Sequence, residues 1–183
     1  MSAWRRAFLL LVLVASGASA EVQTAASDGF VIAYSARIGT TPAKIYAALP
    51  AIDRWWSSVH TWSGNAANLS LRAEPGSCFC ERWNDGGVEH GRVIMALRDQ
   101  VLRIQTALGP LQGRAVSGVL TFQVKADEDG GKSEKATSLM LTYVVNGSSA
   151  SALDKIAPKV NEVLGEQFRR LVRFIETGNA DAT

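Results

Sequence analysis

Residues 152–177 constrain the fold most. Leu153, Ile156, Val160, Val163, Leu164, Phe168, Leu171, Val172 and Ile175 recur there at helical spacing, which gives one long apolar stripe that must lie against a single partner layer. Arg169, Arg170, Arg173 and Glu176 occupy much of the other side, and Gly178 is well placed as the stop. About twenty residues rising ~1.5 Å each make roughly 30 Å of helix. Pro158 lacks the N–H that a helix interior needs, so the regular helix is expected to start close to it.

The upstream sequence supplies a broad apolar surface for that stripe. Gly29–Ile38 alternates, with Phe30, Ile32, Tyr34, Ala36 and Ile38 on one face, and predicts a long strand buried on one side. Thr41 and Pro42 are suited to cap and open a short helix that carries Ile45, Ala48 and Leu49 and ends at Pro50. Residues 51–57 predict a second short helix, and 60–68 a loop. Strands are then expected over 69–73, 78–83, 88–97, 101–108, 119–125 and 139–145, with turn residues such as Pro75-Gly76 and Asp85-Gly86-Gly87 between them. The acidic, glycine-rich 126–136 reads as a solvated hairpin loop. Antiparallel strands with the helices segregated to one side are an α+β layout. A strongly curved sheet of about six or seven strands, wrapped around one long helix, leaves a cavity between the two.

The N-terminus has a different purpose. Arg5 and Arg6 precede an apolar run from Ala7 to Val14, and Ala18-Ser19-Ala20 precedes Glu21. This is the three-part pattern of a secretory signal peptide cleaved after Ala20. The run is too short to span a bilayer, which takes about 20 apolar residues. The general secretory route is expected rather than the twin-arginine route that Arg5-Arg6 loosely resembles. Removing residues 1–20 lowers Lys plus Arg from 19 to 17, which equals the 17 Asp plus Glu. The mature chain is then formally neutral and lacks the basic footprint of a nucleic-acid binder. The expectation is a secreted or periplasmic protein with no stable membrane insertion.

Three stretches carry a family resemblance: TTPAKIYAALPAIDRWW, GSCFCERW and VLGEQFRRLVRFIETG. With them the chain resembles the START-like superfamily, also called SRPBCC, over residues 29–177. That superfamily includes the birch pollen allergen, lipid-transfer START domains, aromatic polyketide cyclases and heat-shock ATPase activator homologues. WWSSVHTWSGNAANLSL, GSCFCE and ALGPLQG resemble a narrower group of exported bacterial members, to which the resemblance attaches no particular reaction. It implies a helix-grip fold and an internal hydrophobic pocket. It does not imply a chemistry, because fold does not determine function.

The candidate site residues surround GSCFCERW. Cys78 and Cys80 are the only cysteines. Residues i and i+2 of a regular strand share a face with Cα atoms roughly 6.6 Å apart, whereas a disulfide prefers about 5.5–6 Å. Bonding would strain a regular strand unless a bulge after Gly76 relieved it, while an oxidising compartment favours the bond. A disulfide and two free thiols lining the inner face both stand as readings. A Cys₂His₂ zinc site with His60 and His90 lacks the usual ligand spacing, so no metal or other cofactor is expected. Trp55, Trp56 and Trp62 cluster, and Trp83 of the neighbouring strand is a candidate to join them. Of the adjacent pair Trp55 and Trp56, one belongs to the core and the other to a cavity entrance. Glu81 and Trp83 share one strand face and His90 and Arg92 another; Glu81 could pair with Arg92, or with His90 as a general acid and base. The loop Gly109-Pro110-Leu111-Gln112-Gly113 is either a cavity border or an ordinary turn. No nucleophile motif, phosphate loop or carboxylate pair stands out. The first functional reading is a carrier or sensor of a small hydrophobic molecule. A cavity enzyme that uses His90 and Glu81 is the second, and a protein-interaction module is the third.

Overall fold

The structure is a computed structural model that describes residues 19–127 and 136–182. The basic and apolar parts of the expected signal, and most of the 126–136 loop, lie outside the described residues.

Among the described residues, eight strands form one antiparallel sheet. They are β1 (Ser19–Ala26), β2 (Gly29–Ile38), β3 (Leu69–Ser70), β4 (Cys78–Trp83), β5 (Gly86–Leu97), β6 (Val101–Thr106), β7 (Ser117–Ala126) and β8 (Thr137–Asn146). The spatial order is β1-β2-β8-β7-β6-β5-β4-β3, so β3 to β8 run as a meander and β2 closes onto its last strand. Helices α1 (Pro42–Ala48) and α2 (Ile52–Trp55) follow β2, and α3 (Leu153–Thr177) ends the domain. This is the α+β helix-grip layout.

Alternation decides which sheet face is covered. Phe30, Ile32, Tyr34 and Ile38 of β2 are buried, as are Leu139, Leu141, Tyr143 and Val145 of β8. Leu164, Phe168, Leu171 and Ile175 of α3 bury the facing stripe. Tyr34 stacks on Phe168 with ring centroids 5.5 Å apart, and its hydroxyl donates to the Asn161 carbonyl at 2.6 Å. Burial pushes the Tyr34 pKa up to about 12, against a smaller opposing effect of Arg169. Thr41 caps α1 by accepting from the Lys44 N–H, with Pro42 at the first helical position. Gly178 closes α3 at φ 79°.

Three expectations change. A strand absent from the sequence reading, β1, pairs along β2 from Ser19↔Ser35 to Ala26↔Gly29. The strand expected over 69–73 keeps only Leu69–Ser70. The long helix begins at Leu153 and runs through Pro158, five residues beyond its start. Leu153 and Ala157 are completely buried, and the Leu153 N–H donates to the Ser27 carbonyl at 2.9 Å. Burial in this first turn outweighs the single backbone bond that the proline removes.

The cysteines form a disulfide, Cys78–Cys80, with Cα atoms 5.3 Å apart. This corrects the free-thiol reading and removes both sulfurs from any Cys₂His₂ set. The irregularity that accompanies the bond does not follow Gly76. It lies in the partner strand: Phe79 pairs with Gly91 and Cys80 with Glu89, so His90 is the extra residue of a bulge. Reducing the disulfide should cost little, because the closed loop is only three residues long. The chain-entropy relation gives about 1.5 kcal/mol, or a fall of about 5 °C in Tm. Thermal unfolding with and without dithiothreitol, beside a Cys78→Ser/Cys80→Ser variant, checks this; unfolding of the domain on reduction would refute it.

Candidate functional site

A cavity of about 350 Å³ lies between the sheet and α3. Ile156, Val160, Val163 and Leu164 of α3 form one wall, and Phe79 of β4, His90 of β5 and Leu69 another. Trp56, His60, Thr61 and Trp62, from the segment after α2, close one side. Leu108, Gly109 and Pro110 close the other. The open side is rimmed by exposed Trp62, Pro110 and Lys159. The wall is overwhelmingly apolar, as ligand cavities usually are.

Each wall has a physical anchor. Trp56 donates its indole N–H to the His60 carbonyl at 3.0 Å and meets Phe79 edge-on at 5.9 Å. Buried Gln167 of α3 accepts the Ser57 N–H at 2.8 Å, which ties the tryptophan segment to the long helix. Residues Gly109–Arg114 form a 3₁₀ helix rather than a plain turn. The Tyr143 hydroxyl accepts the Leu108 N–H and donates to the Thr106 carbonyl. Gln112 donates to the Glu89 carbonyl beside the bulge at 2.9 Å.

The bulge turns His90 inward. Thr106 donates its hydroxyl to the His90 carbonyl, and the imidazole lies 4.8 Å from the Phe79 ring. Behind it, Glu81 is fully buried. One carboxylate oxygen accepts the Ser63 N–H at 2.5 Å; the other accepts the Trp62 N–H at 3.1 Å and His90 Nε2–H at 3.0 Å. Burial pushes the Glu81 pKa up, but these hydrogen bonds together outweigh it and leave the pKa below the ordinary value. Burial lowers the His90 pKa, and the nearby Glu81 only partly offsets this. At neutral pH the pair is therefore a carboxylate and a neutral imidazole. A second pair stands nearer the mouth, where His60 Nε2 meets Glu166 at 2.9 Å.

Of the sequence candidates, Trp56, His60, Trp62 and His90 line the cavity, and Glu81 supports it from behind. The others lie elsewhere. Trp55 is a core residue 1% exposed, edge-on to Phe122, and donates to the Ala48 carbonyl. Cys78 and Cys80 alternate with Phe79 and Glu81 and so occupy the opposite sheet face. Trp83 is at the exposed end of β4. Arg92 points outward and pairs with Glu89 at 2.6 Å rather than with Glu81. Among the described residues no group of three or more His, Cys, Asp or Glu side chains is placed to hold a metal ion. The sequence reading missed Phe79, Leu108 and Lys159 as wall residues. It read Ile156, Val160, Val163 and Leu164 only as part of the helix's apolar stripe, since a cavity wall and a packed core share the same helical spacing.

No protein-family model and no curated protein matches the chain. Solved structures do. A Mesorhizobium loti protein, MLL2253, superposes with a TM-score of 0.50 at 15% identity, covering 79% of this chain and 95% of that one. An Arthrobacter aurescens protein solved by NMR gives 0.51 at 12% identity, covering 90% and 94%. A member of the Arabidopsis thaliana major latex protein family gives 0.42 at 11%, covering 79% and 94%, and adds no weight at that score. Identities this low speak for the fold alone. With the eight-stranded sheet gripping α3, the chain has a helix-grip fold.

Proposed function

We propose that this protein is an exported carrier or sensor that holds a small hydrophobic molecule between its sheet and α3. The apolar cavity carries the reading: about 350 Å³ lined chiefly by aliphatic and aromatic side chains, within the roughly 300–1,000 Å³ range of small-molecule sites. Roughly 150 Å³ suffices for benzene, so a molecule of two fused rings suits the space. Export is supported by the N-terminal signal pattern and by the disulfide, a bond that persists mainly in oxidising compartments.

The test is a pair of mass spectra, native and denaturing, of the protein recovered from its own host. The expected native spectrum carries an extra organic mass that denaturation removes. The expected denatured mass begins at Glu21 and lacks two hydrogens. An N-terminus that retains residues 1–20 would count against export. Naphthalene should raise Tm in a concentration-dependent way, and Val163→Trp, which fills the cavity, should abolish that shift. A wild-type protein indifferent to naphthalene and free of any native adduct would sink the binding reading.

One observation favours a second reading. His90 stands in the cavity wall with buried Glu81 behind it, the arrangement by which a carboxylate orients an imidazole for proton transfer. A cavity enzyme of the polyketide cyclase type would use this pair, and a bound product that differs from the supplied substrate would reveal it.

A further inference from the structure

The apolar wall contains few polar groups, and most are already engaged. The Thr61 hydroxyl donates to the Ser58 carbonyl. Lys159 Nζ pairs with Glu162 at 2.8 Å at the exposed rim. His60 is held through Nε2 by Glu166, and its side chain is still 26% exposed, so water can reach it. His90 differs. It is only 7% exposed, and its Nε2–H is committed to Glu81. A carboxylate can only accept in this bond, so Nε2 carries the proton and Nδ1 is left with a bare lone pair. Among the described residues Nδ1 has no hydrogen-bond partner. No side-chain nitrogen or oxygen among the described residues is buried without a partner, so this atom keeps access to open space. His90 lines the cavity.

A lone acceptor on an apolar wall favours one kind of ligand. The geometry points to an apolar ring system bearing a single hydrogen-bond donor, a phenolic or enolic hydroxyl, received by Nδ1 of His90. A ligand without a donor leaves this nitrogen desolvated and unpaired, which is costly. A carboxylate head would set its own lone pairs against that of Nδ1, with the Glu81 charge 3.0 Å beyond the ring's other nitrogen. The inference rests on the hydrophobic-binding reading and narrows it to a ligand class.

Titrations of the mature protein with naphthalene, 2-naphthol and 2-methoxynaphthalene separate the two. Naphthalene tests the cavity, 2-naphthol adds the donor, and its methyl ether keeps the oxygen but removes the donor. One well-placed hydrogen bond predicts that 2-naphthol binds about tenfold tighter than either of the others. His90→Phe should bring 2-naphthol down to the naphthalene level. Should that variant not fold, ¹⁵N spectra of the wild-type imidazoles give a second readout: 2-naphthol should move the His90 Nδ1 resonance and leave both His60 nitrogens in place. Equal affinities for the three probes would overturn the inference and leave the cavity reading intact. A shift at His60 in place of His90 would overturn it too. Failure of all three to bind would overturn both.

Discussion

Glu81→Ala is expected to destabilise the fold by about 3–5 kcal/mol, the cost of removing one partner from a buried charged network. For a domain of this size that lowers Tm by about 10 °C or more. The carboxylate is fully buried and takes three donors: two backbone N–H groups of the tryptophan segment and the His90 imidazole. Alanine leaves all three without an acceptor. Glu81→Gln keeps the shape but turns an NH₂ group toward donors, so an intermediate loss of about 2 kcal/mol is expected. Urea unfolding at constant m measures both. A loss below ~1 kcal/mol for the alanine variant would mean that the carboxylate does not organise the site.

The same pair sets an acid dependence. The folded Glu81 pKa is depressed from 4.5, so the unfolded chain binds more protons below that pH. Its contribution is complete above pH 4.5 and is lost as pH falls through the folded value. The His90 pKa is depressed from 6.5. Its neutral form favours the fold, so its contribution is complete above pH 6.5 and declines below it. Wild-type stability should therefore fall in two acid stages. Glu81→Ala should keep the stage that starts below 6.5 and shrink the carboxylate stage, to which Asp127, Glu166 and Asp181 also contribute through their lowered pKa values.

Gly118→Ala is the second large expected effect, about 3 kcal/mol of destabilisation. A Cβ on residue 118 would run into the Thr106 carbonyl oxygen and come within 3.0 Å of the Tyr143 ring and hydroxyl. The Thr106 oxygen is backbone, and the Tyr143 hydroxyl is pinned between Leu108 and Thr106, so neither yields without moving the strands that carry the cavity wall. Gly113→Ala is the control. Nothing lies within 4 Å of a Cβ there, and the change should stay within about 0.5 kcal/mol. Equal effects at the two positions in denaturant unfolding would refute the packing account.

The sequence determined by itself what depends on local periodicity. The alternation of Phe30, Ile32 and Tyr34 marks the buried face of β2, and the stripe from Leu153 to Ile175 marks the helix that covers it. Thr41, Pro42 and Gly178 mark helix ends because caps are chemistry within a few residues. Pairing across strands decided the rest. Only the registration of β4 on β5 shows that His90 is one residue too many for its partner and so turns inward to Glu81, leaving Arg92 to Glu89. The same pairing shows Cys78 and Cys80 on the outer face, close enough to bond. Helical spacing shows that Val160 and Val163 face the sheet, but not whether side chains or open space meet them. That depends on the separation of two layers built from residues far apart in the chain. Local patterns carry the sign of burial; register and layer spacing, which arise only when distant segments pack, decide the depth and shape of the site.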